Sequence, residues 1–361
     1  MQNSMYEKIY AIDNLYLASK KALKGKKSTQ SASKFWMNED KEILKIQQLL
    51  KDRKYTFGRY RVFNINDKGV LRKISAAPFR DRVVHHAIMN IIEPIFEKSF
   101  IYDTYANRKG KGVSKALYRM KSYMKKYKYY LKIDIQKYFP SIDHKILKDL
   151  LAKKIDSGST LDLLYQLIDT SNKQHDAYFY FENDTLFSPY ESKKGIPLGN
   201  LTSQFFGNVY LNRFDHYVKE VLRVGYVRYV DDMVLFSNEK LALLFEKLQK
   251  YLARYRLKIH PRKIVYGSNK KGLEMLGHKV YPTHIRLLSK SVLRARTKLT
   301  KVKYLYAYDK VSLQEAKNKI FGIIGFMKIG NNYRLIDTLL AQTVLQKPSV
   351  EVVPSWGQLQ Q

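Results

Sequence analysis

The chain has 361 residues, 45% of them hydrophobic, enough for more than one packed subdomain around a sizeable core. Its 66 Lys and Arg against 32 Asp and Glu leave a formal charge of +34, which points to a polyanionic partner rather than a small neutral substrate. The absence of cysteine excludes disulfides, thiolate metal sites and cysteine nucleophiles. No apolar run is long enough to cross a bilayer or serve as a secretory leader, so a soluble, cytoplasmic protein is expected.

In chain order, 5–24 reads as a helix, GKKSTQSAS at 25–33 as a flexible polar stretch, and Asn38 as the cap of a helix running to about Lys51. Two β-rich runs around Asn66-Asp67-Lys68-Gly69 predict a hairpin. Helices at about 80–97 and 113–126 precede YYLKIDI, a short apolar strand carrying one acid, Asp134. Further helices are expected at 144–154 and 159–170, with Asp143 capping the first, then a strand pair around 177–188 and a long helix over about 201–222. GYVRYVDDMVLFS forms two β-rich stretches meeting at Asp231 and Asp232; a helix at about 239–255, short strands around 264–288 and helices at about 290–307, 312–327 and 332–344 follow. The basic residues cluster: ten Lys or Arg and no acid lie between Asp103 and Asp134, and nine with no acid between Glu246 and Glu274. With 29 tyrosines, many set among lysines, these runs suit a surface that meets phosphates with cations and bases or sugars with rings. His85 and His86 are adjacent on a helix and point to different faces, which argues against joint metal ligation.

Two adjacent carboxylates in an apolar hairpin repel each other and lose hydration. Alone, the Asp231-Asp232 pair fits either a turn facing water or a metal-binding edge. Asp134 on a second apolar strand favours the metal, and without cysteine the ligands are hard oxygens that suit Mg²⁺. Three carboxylates carry about the right charge for two such ions.

YVDD at 229–232, with Asp134 followed five residues later by Phe139, resembles a reverse transcriptase palm. The resemblance runs over roughly residues 50–345. RKISAAPFRDRVVHHAI (72–88) and YANRKGKGV (105–113) resemble the first two motifs of the group II intron-related bacterial branch, and YYLKIDIQKYFPSIDH the third. GIPLGNLTSQFFGNVYLN (195–212), YVDD, LKIHPRK (257–263) and MLGHKV (275–280) resemble the remaining four, in order.

The resemblance implies an α/β (α+β) right-hand polymerase: a basic N-terminal helical extension at 1–53, fingers at 54–128, a palm at 129–285 with a fingers-contributing segment at about 145–195, and thumb and tail at 286–361. Asp134 and Asp231 are implied as the main ligands of two Mg²⁺ ions, with Asp232 assisting and the Ile135 carbonyl adding an oxygen. Phe139 is implied under the sugar of an incoming dNTP, where a flat ring leaves no room for a 2′-hydroxyl. Arg72 would reach the triphosphate, and Lys263 would serve as charge or proton donor near the pyrophosphate. The basic helix at 293–308 would lie along the RNA/cDNA duplex. No histidine and carboxylate cluster suggestive of a nuclease is seen.

In the fourth motif Leu198 stands where intron-type and retroviral enzymes usually have Gln, Gly199 follows, and Gln204 stands where they have Pro. GIPLGNLTSQ resembles the reverse transcriptases of diversity-generating retroelements. That subtype implies error-prone, adenine-mutagenised cDNA copied from a template-repeat RNA for mutagenic retrohoming, a bacterial or phage source, and a small, basic, helical, oligomeric accessory variability protein as partner. Leu198 offers the nucleotide contact but no hydrogen bond, which predicts looser base-pair geometry. The alternatives are a retron, group II intron or phage-defence reverse transcriptase, or an RNA-binding, splicing-assisting protein with a polymerase-like fold.

Overall fold

The computed structural model describes residues 4–67, 69–170, 178–239 and 241–347. Two compact units are present, one of Met1–Gly112 with Tyr130–Tyr266, the other of Val113–Tyr129 with Gly267–Gln361. In these units 113–129 groups with 267–361 rather than with 54–112.

The first unit starts with helices Met5–Tyr10, Ile12–Leu23, Gln30–Met37 and Glu39–Lys51. The single helix expected at 5–24 breaks at Ala11, whose ψ of 136° leaves the helical region. The stretch expected to be flexible contains the start of the Gln30–Met37 helix. Asn38 does not cap: its side chain donates back to the Lys34 carbonyl, and Glu39, Asp40 and Glu42 in the first turn of Glu39–Lys51 answer the positive helix end instead. The helices of this N-terminal extension pack into the core of the first unit. Ile9, Leu15, Ala18, Ile43, Ile46 and Leu50 share one core with Val83, Val84, Ala87 and Ile88 of the helix Phe79–Glu97. Asn14 donates to the Ala87 carbonyl at 3.1 Å and Arg80 pairs with Glu42 at 2.6 Å.

The expected hairpin forms from Arg61–Asp67 and Val70–Ala76, antiparallel with Ile65 opposite Arg72. The carboxylate-bearing strands form a buried sheet in which Asp232–Ser237 lies between Gly225–Tyr229 and Tyr129–Asp134. Helix Leu201–His216 is buried nearly all round, through Phe205, Phe206, Val209, Tyr210, Leu211 and Phe214, and runs on into a π-turn at Tyr217–Val221. Asp143 caps His144–Ala152 by accepting from Ile146 N–H, as expected. Of the strand pair expected around 177–188, residue 177 lies outside the described residues. Residues 178–187 are turns and loop, pinned where Asp184 takes two 2.9 Å hydrogen bonds from Arg256.

In the second unit, Leu273–Met275, His278–Val280 and Ile285–Leu287 make an antiparallel sheet in sequence order. Helix Val113–Lys126 is tied in where the Asn269 amide donates to the Tyr127 carbonyl at 2.6 Å. Helices Ser289–Ala307, Leu313–Met327 and Tyr333–Ala341 enclose Ala295, Leu299, Ile324, Met327, Ile336 and Leu339. Among the described residues no helix is long and apolar enough to cross a membrane.

Candidate active site

Asp134 ends one strand of the buried sheet, and Asp232 opens the neighbouring strand. Tyr229 pairs with Asp232 across the second hairpin, so Val230 and Asp231 form a two-residue turn. The two carboxylate-bearing segments are joined directly, since Ile135 N–H donates to the Asp231 carbonyl at 3.3 Å. On the other side, His260 N–H donates to the Asp134 carbonyl at 2.8 Å, and Ile135 bridges Ile259. A short turn at Pro261–Lys263 then carries the Lys263 ammonium to 2.9 Å from Asp134 Oδ2.

Burial, followed by the charges of Asp134 and Asp232, pushes the Asp231 carboxyl up to about 6, with Lys263 opposing. Burial also raises Asp232; Lys132 pulls against it and Asp134 adds to it. Asp231 therefore feels both neighbouring carboxylates and Asp232 feels Asp134, a crowding of negative charge that Lys263 and Lys132 only partly offset. Among the described residues no three His, Asp or Glu side chains already stand in metal-ligating geometry. The donor chemistry is nonetheless that of a hard divalent cation, the carboxylate oxygens of Asp134, Asp231 and Asp232.

Phe139 is buried in the Tyr138–Ser141 turn, its ring 5.3 Å from that of Tyr138. A Cβ on Gly207 of the long buried helix would approach the Tyr138 and Phe139 rings to 3.3 and 3.4 Å, so a glycine there lets the aromatic pair pack against the helix. Leu198 is half-buried, and its carbonyl accepts from Ser75 N–H at 3.4 Å. Gly199 has φ +101°, and a Cβ there would meet Ile74 at 3.2 Å, so its lack of a side chain lets the fourth motif dock on the Val70–Ala76 strand. Asn200 completes that contact by donating to the Ser75 carbonyl at 2.8 Å. Gln204 accepts from the Asn107 amide at 2.8 Å, joining the fourth motif to the second. Arg72 stands exposed on the hairpin strand opposite Ile65. His85 is fully buried and His86 partly so, and burial lowers them to about 3 and about 4, which suits neutral packed imidazoles.

Residues 64–280, more than half of the chain, match the family described as reverse transcriptase (RNA-dependent DNA polymerase). The chain belongs to the reverse transcriptase family. With that membership comes the right-hand polymerase fold. Its relatives include the group II intron-encoded protein LtrA of Lactococcus lactis subsp. cremoris, 26% identical over 184 residues that cover 50% of this chain and 29% of LtrA. The putative COX1/OXI3 intron 2 protein of Saccharomyces cerevisiae is 28% identical over 156 residues, 42% of this chain and 16% of that one. This reverse transcriptase chain thus spans less than a third of either relative. The structure of Candida tropicalis telomerase with a fragment of telomeric RNA aligns at TM-score 0.48 and 11% identity, over 83% of this chain and 57% of that one.

The sequence reading missed the polar cluster beneath the turn of this reverse transcriptase. Arg228 and Asp215 are 1% and 0% exposed and form an ion pair at 2.6 Å. Burial opposes the charge on Arg228, but the Asp215 carboxylate outweighs it and holds the guanidinium protonated. A signal was present: an arginine inside an apolar strand and an aspartate in an otherwise buried helix both require a partner.

Proposed function

We propose that the chain is an RNA-directed DNA polymerase that extends a primer along an RNA template with dNTPs. The observation that carries this reading is the cluster of Asp134, Asp231 and Asp232, converging from two strands within the family-matched segment and short of positive charge. Asp134 and Asp231, with Asp232 and the Ile135 carbonyl, would hold two Mg²⁺ ions. When bound, these supply activation of the primer 3′-hydroxyl and stabilise charge on the leaving pyrophosphate. Lys263 balances Asp134 and stands ready as a charge or proton donor at the pyrophosphate. Phe139 closes the floor under the sugar against a 2′-hydroxyl, and Arg72 meets the triphosphate. On this reading 54–128, 129–285 and 286–361 serve as fingers, palm, and thumb with tail, and 1–53 precedes them.

The finer reading is a reverse transcriptase of the diversity-generating type, supported by Leu198 and Gln204 within GIPLGNLTSQ. It carries with it a template-repeat RNA, an accessory variability protein, and a cytoplasmic bacterial or phage setting. The similarity to LtrA favours a second reading, a group II intron-type enzyme. Primer extension on RNA with Mg²⁺ and dNTPs, followed by sequencing of the cDNA, separates them. Synthesis by the native chain and none by Asp231→Ala is expected; tight RNA binding without cDNA from either would replace the polymerase with an RNA-binding protein. Errors concentrated opposite template adenines, reduced by Leu198→Gln, are the result expected of the diversity-generating type, whereas accurate cDNA moves the chain to the retron, intron or phage-defence branch.

A further inference from the structure

The turn that carries Asp231 is not shaped by its own residues. Val230 has φ +60°, a left-handed conformation that costs a β-branched residue free energy and that Gly or Asn adopts far more readily. The group facing it is Arg228. Its Nη1 donates to the Val230 carbonyl at 3.0 Å and to Asn208 Oδ1 at 3.1 Å, while Nε and Nη2 engage the two oxygens of Asp215 at 2.8 and 2.6 Å. Asp215 accepts a further hydrogen bond from the Tyr226 hydroxyl at 2.9 Å, and the Asn208 amide is anchored on the Ala106 carbonyl at 3.1 Å. The Arg228 backbone is itself fixed, its N–H donating to the Asp103 carbonyl and its carbonyl accepting from Tyr105 N–H, both at 3.0 Å.

A buried ion pair is a poor way to gain stability, because apolar residues of similar volume usually serve as well. Here the surroundings are apolar: Val227, Met233, Val234, Leu235 and Phe236 are all fully buried. What apolar residues cannot do is donate to a turn carbonyl. A guanidinium can do so while also engaging a carboxylate with two nitrogens; an ammonium, a single point of charge, cannot reproduce that fork.

We propose that Arg228 is a positioning residue for the polymerase reaction. Held by Asp215 and Asn208, it clamps the Val230 carbonyl and keeps the turn in the left-handed form that presents Asp231 beside Asp134. The proposal rests on the polymerase reading above, so its test uses one readout that needs catalysis and one that does not.

The test is a double-mutant cycle between the clamp and the turn, measured by primer extension with Mg²⁺ and dNTPs and by hydrogen exchange over residues 225–237. Arg228→Lys keeps the charge and loses the fork; Asn208→Ala is the milder lesion and carries the test should Arg228→Lys not fold. Asn208→Ala is expected to lower kcat about tenfold, the worth of one charge-assisted hydrogen bond, with dNTP KM within about threefold, and to speed exchange at the turn. Val230→Asn, which takes the left-handed form readily, is expected to restore most of the lost rate and protection. Additive effects, or a rise in KM with kcat intact, would overturn the clamp. A native chain that makes no cDNA but shows the expected exchange cycle would overturn the polymerase reading and leave the clamp on the turn standing.

Discussion

The first compact unit contains two antiparallel hairpins that reach similar shapes for opposite reasons. In the Arg61–Asp67 and Val70–Ala76 hairpin, Arg61 through Asn66 and Leu71 through Lys73 are exposed, so little tertiary packing can dictate its form. Its turn is self-sufficient: Gly69 takes φ +84° without a Cβ penalty, and its N–H donates to Asn66 Oδ1 at 2.8 Å. The Asp231 hairpin reverses every one of these features. Its strands are buried, its left-handed residue is a valine, and the bond that fixes the turn comes from Arg228, two residues before it and paired with a separate helix. The exposed hairpin is specified by its own turn; the hairpin that carries Asp231 and Asp232 is specified by the core beneath it.

The largest effect that could break this contrast is on stability. Arg228→Met takes the ion-pair partner from Asp215, whose carboxyl burial already raises, and leaves it either to take up a proton or to stay unpaired in the interior; chemical unfolding should show a loss of about 3–5 kcal/mol. A loss below about 1 kcal/mol would mean that the hairpin does not depend on the buried pair.

The next test concerns the strain the carboxylates place on the fold. Because the folded state lifts Asp231 to about 6 from an ordinary 3.8, it favours the protonated form. The resulting penalty is absent below about pH 4, grows between 4 and 6, and is complete above 6. Asp231→Asn should therefore match the native chain in stability near pH 4 and exceed it at pH 7 by on the order of 2 kcal/mol in metal-free buffer. Added Mg²⁺ should narrow the gap by stabilising only the native chain. A gap that does not change with pH would separate the raised carboxyl from stability.

What the sequence made legible divides along the same line. The Asn66-Asp67-Lys68-Gly69 turn, the Asp143 cap and the strand bearing Asp134 could be read because each is written in adjacent residues. The family was legible for the same reason, since its motifs are short runs of adjacent residues, and the match over 64–280 bears out the reverse transcriptase membership. The dependence of Asp231 on Arg228, Asp215 and Asn208 was not, since it joins residues up to 23 positions apart whose pairing only the fold supplies. Where the N-terminal helices pack was not legible for a related reason. Their basic excess is plain in the sequence, whereas Ile9, Leu15, Ile43 and Ile46, fully buried, decide where they pack.

Gly199 lies between the two regimes, where the fourth motif docks on the exposed hairpin. Gly199→Ala meets both a left-handed backbone and the Ile74 methyl at 3.2 Å, so a loss of about 1–2 kcal/mol is expected in thermal unfolding, with weaker dNTP binding if the Leu198 to Asn200 contact aligns the hairpin. Gly69→Ala is the smaller and sharper case. Nothing lies within 4 Å of a Cβ there, so the backbone at φ +84° is the whole cost, about 1 kcal/mol, and a compensating change elsewhere in the chain should not recover it. Restoration of Gly69→Ala by a substitution outside the turn would show that the exposed hairpin also takes its shape from the core, and the distinction between a local turn and a clamped one would collapse.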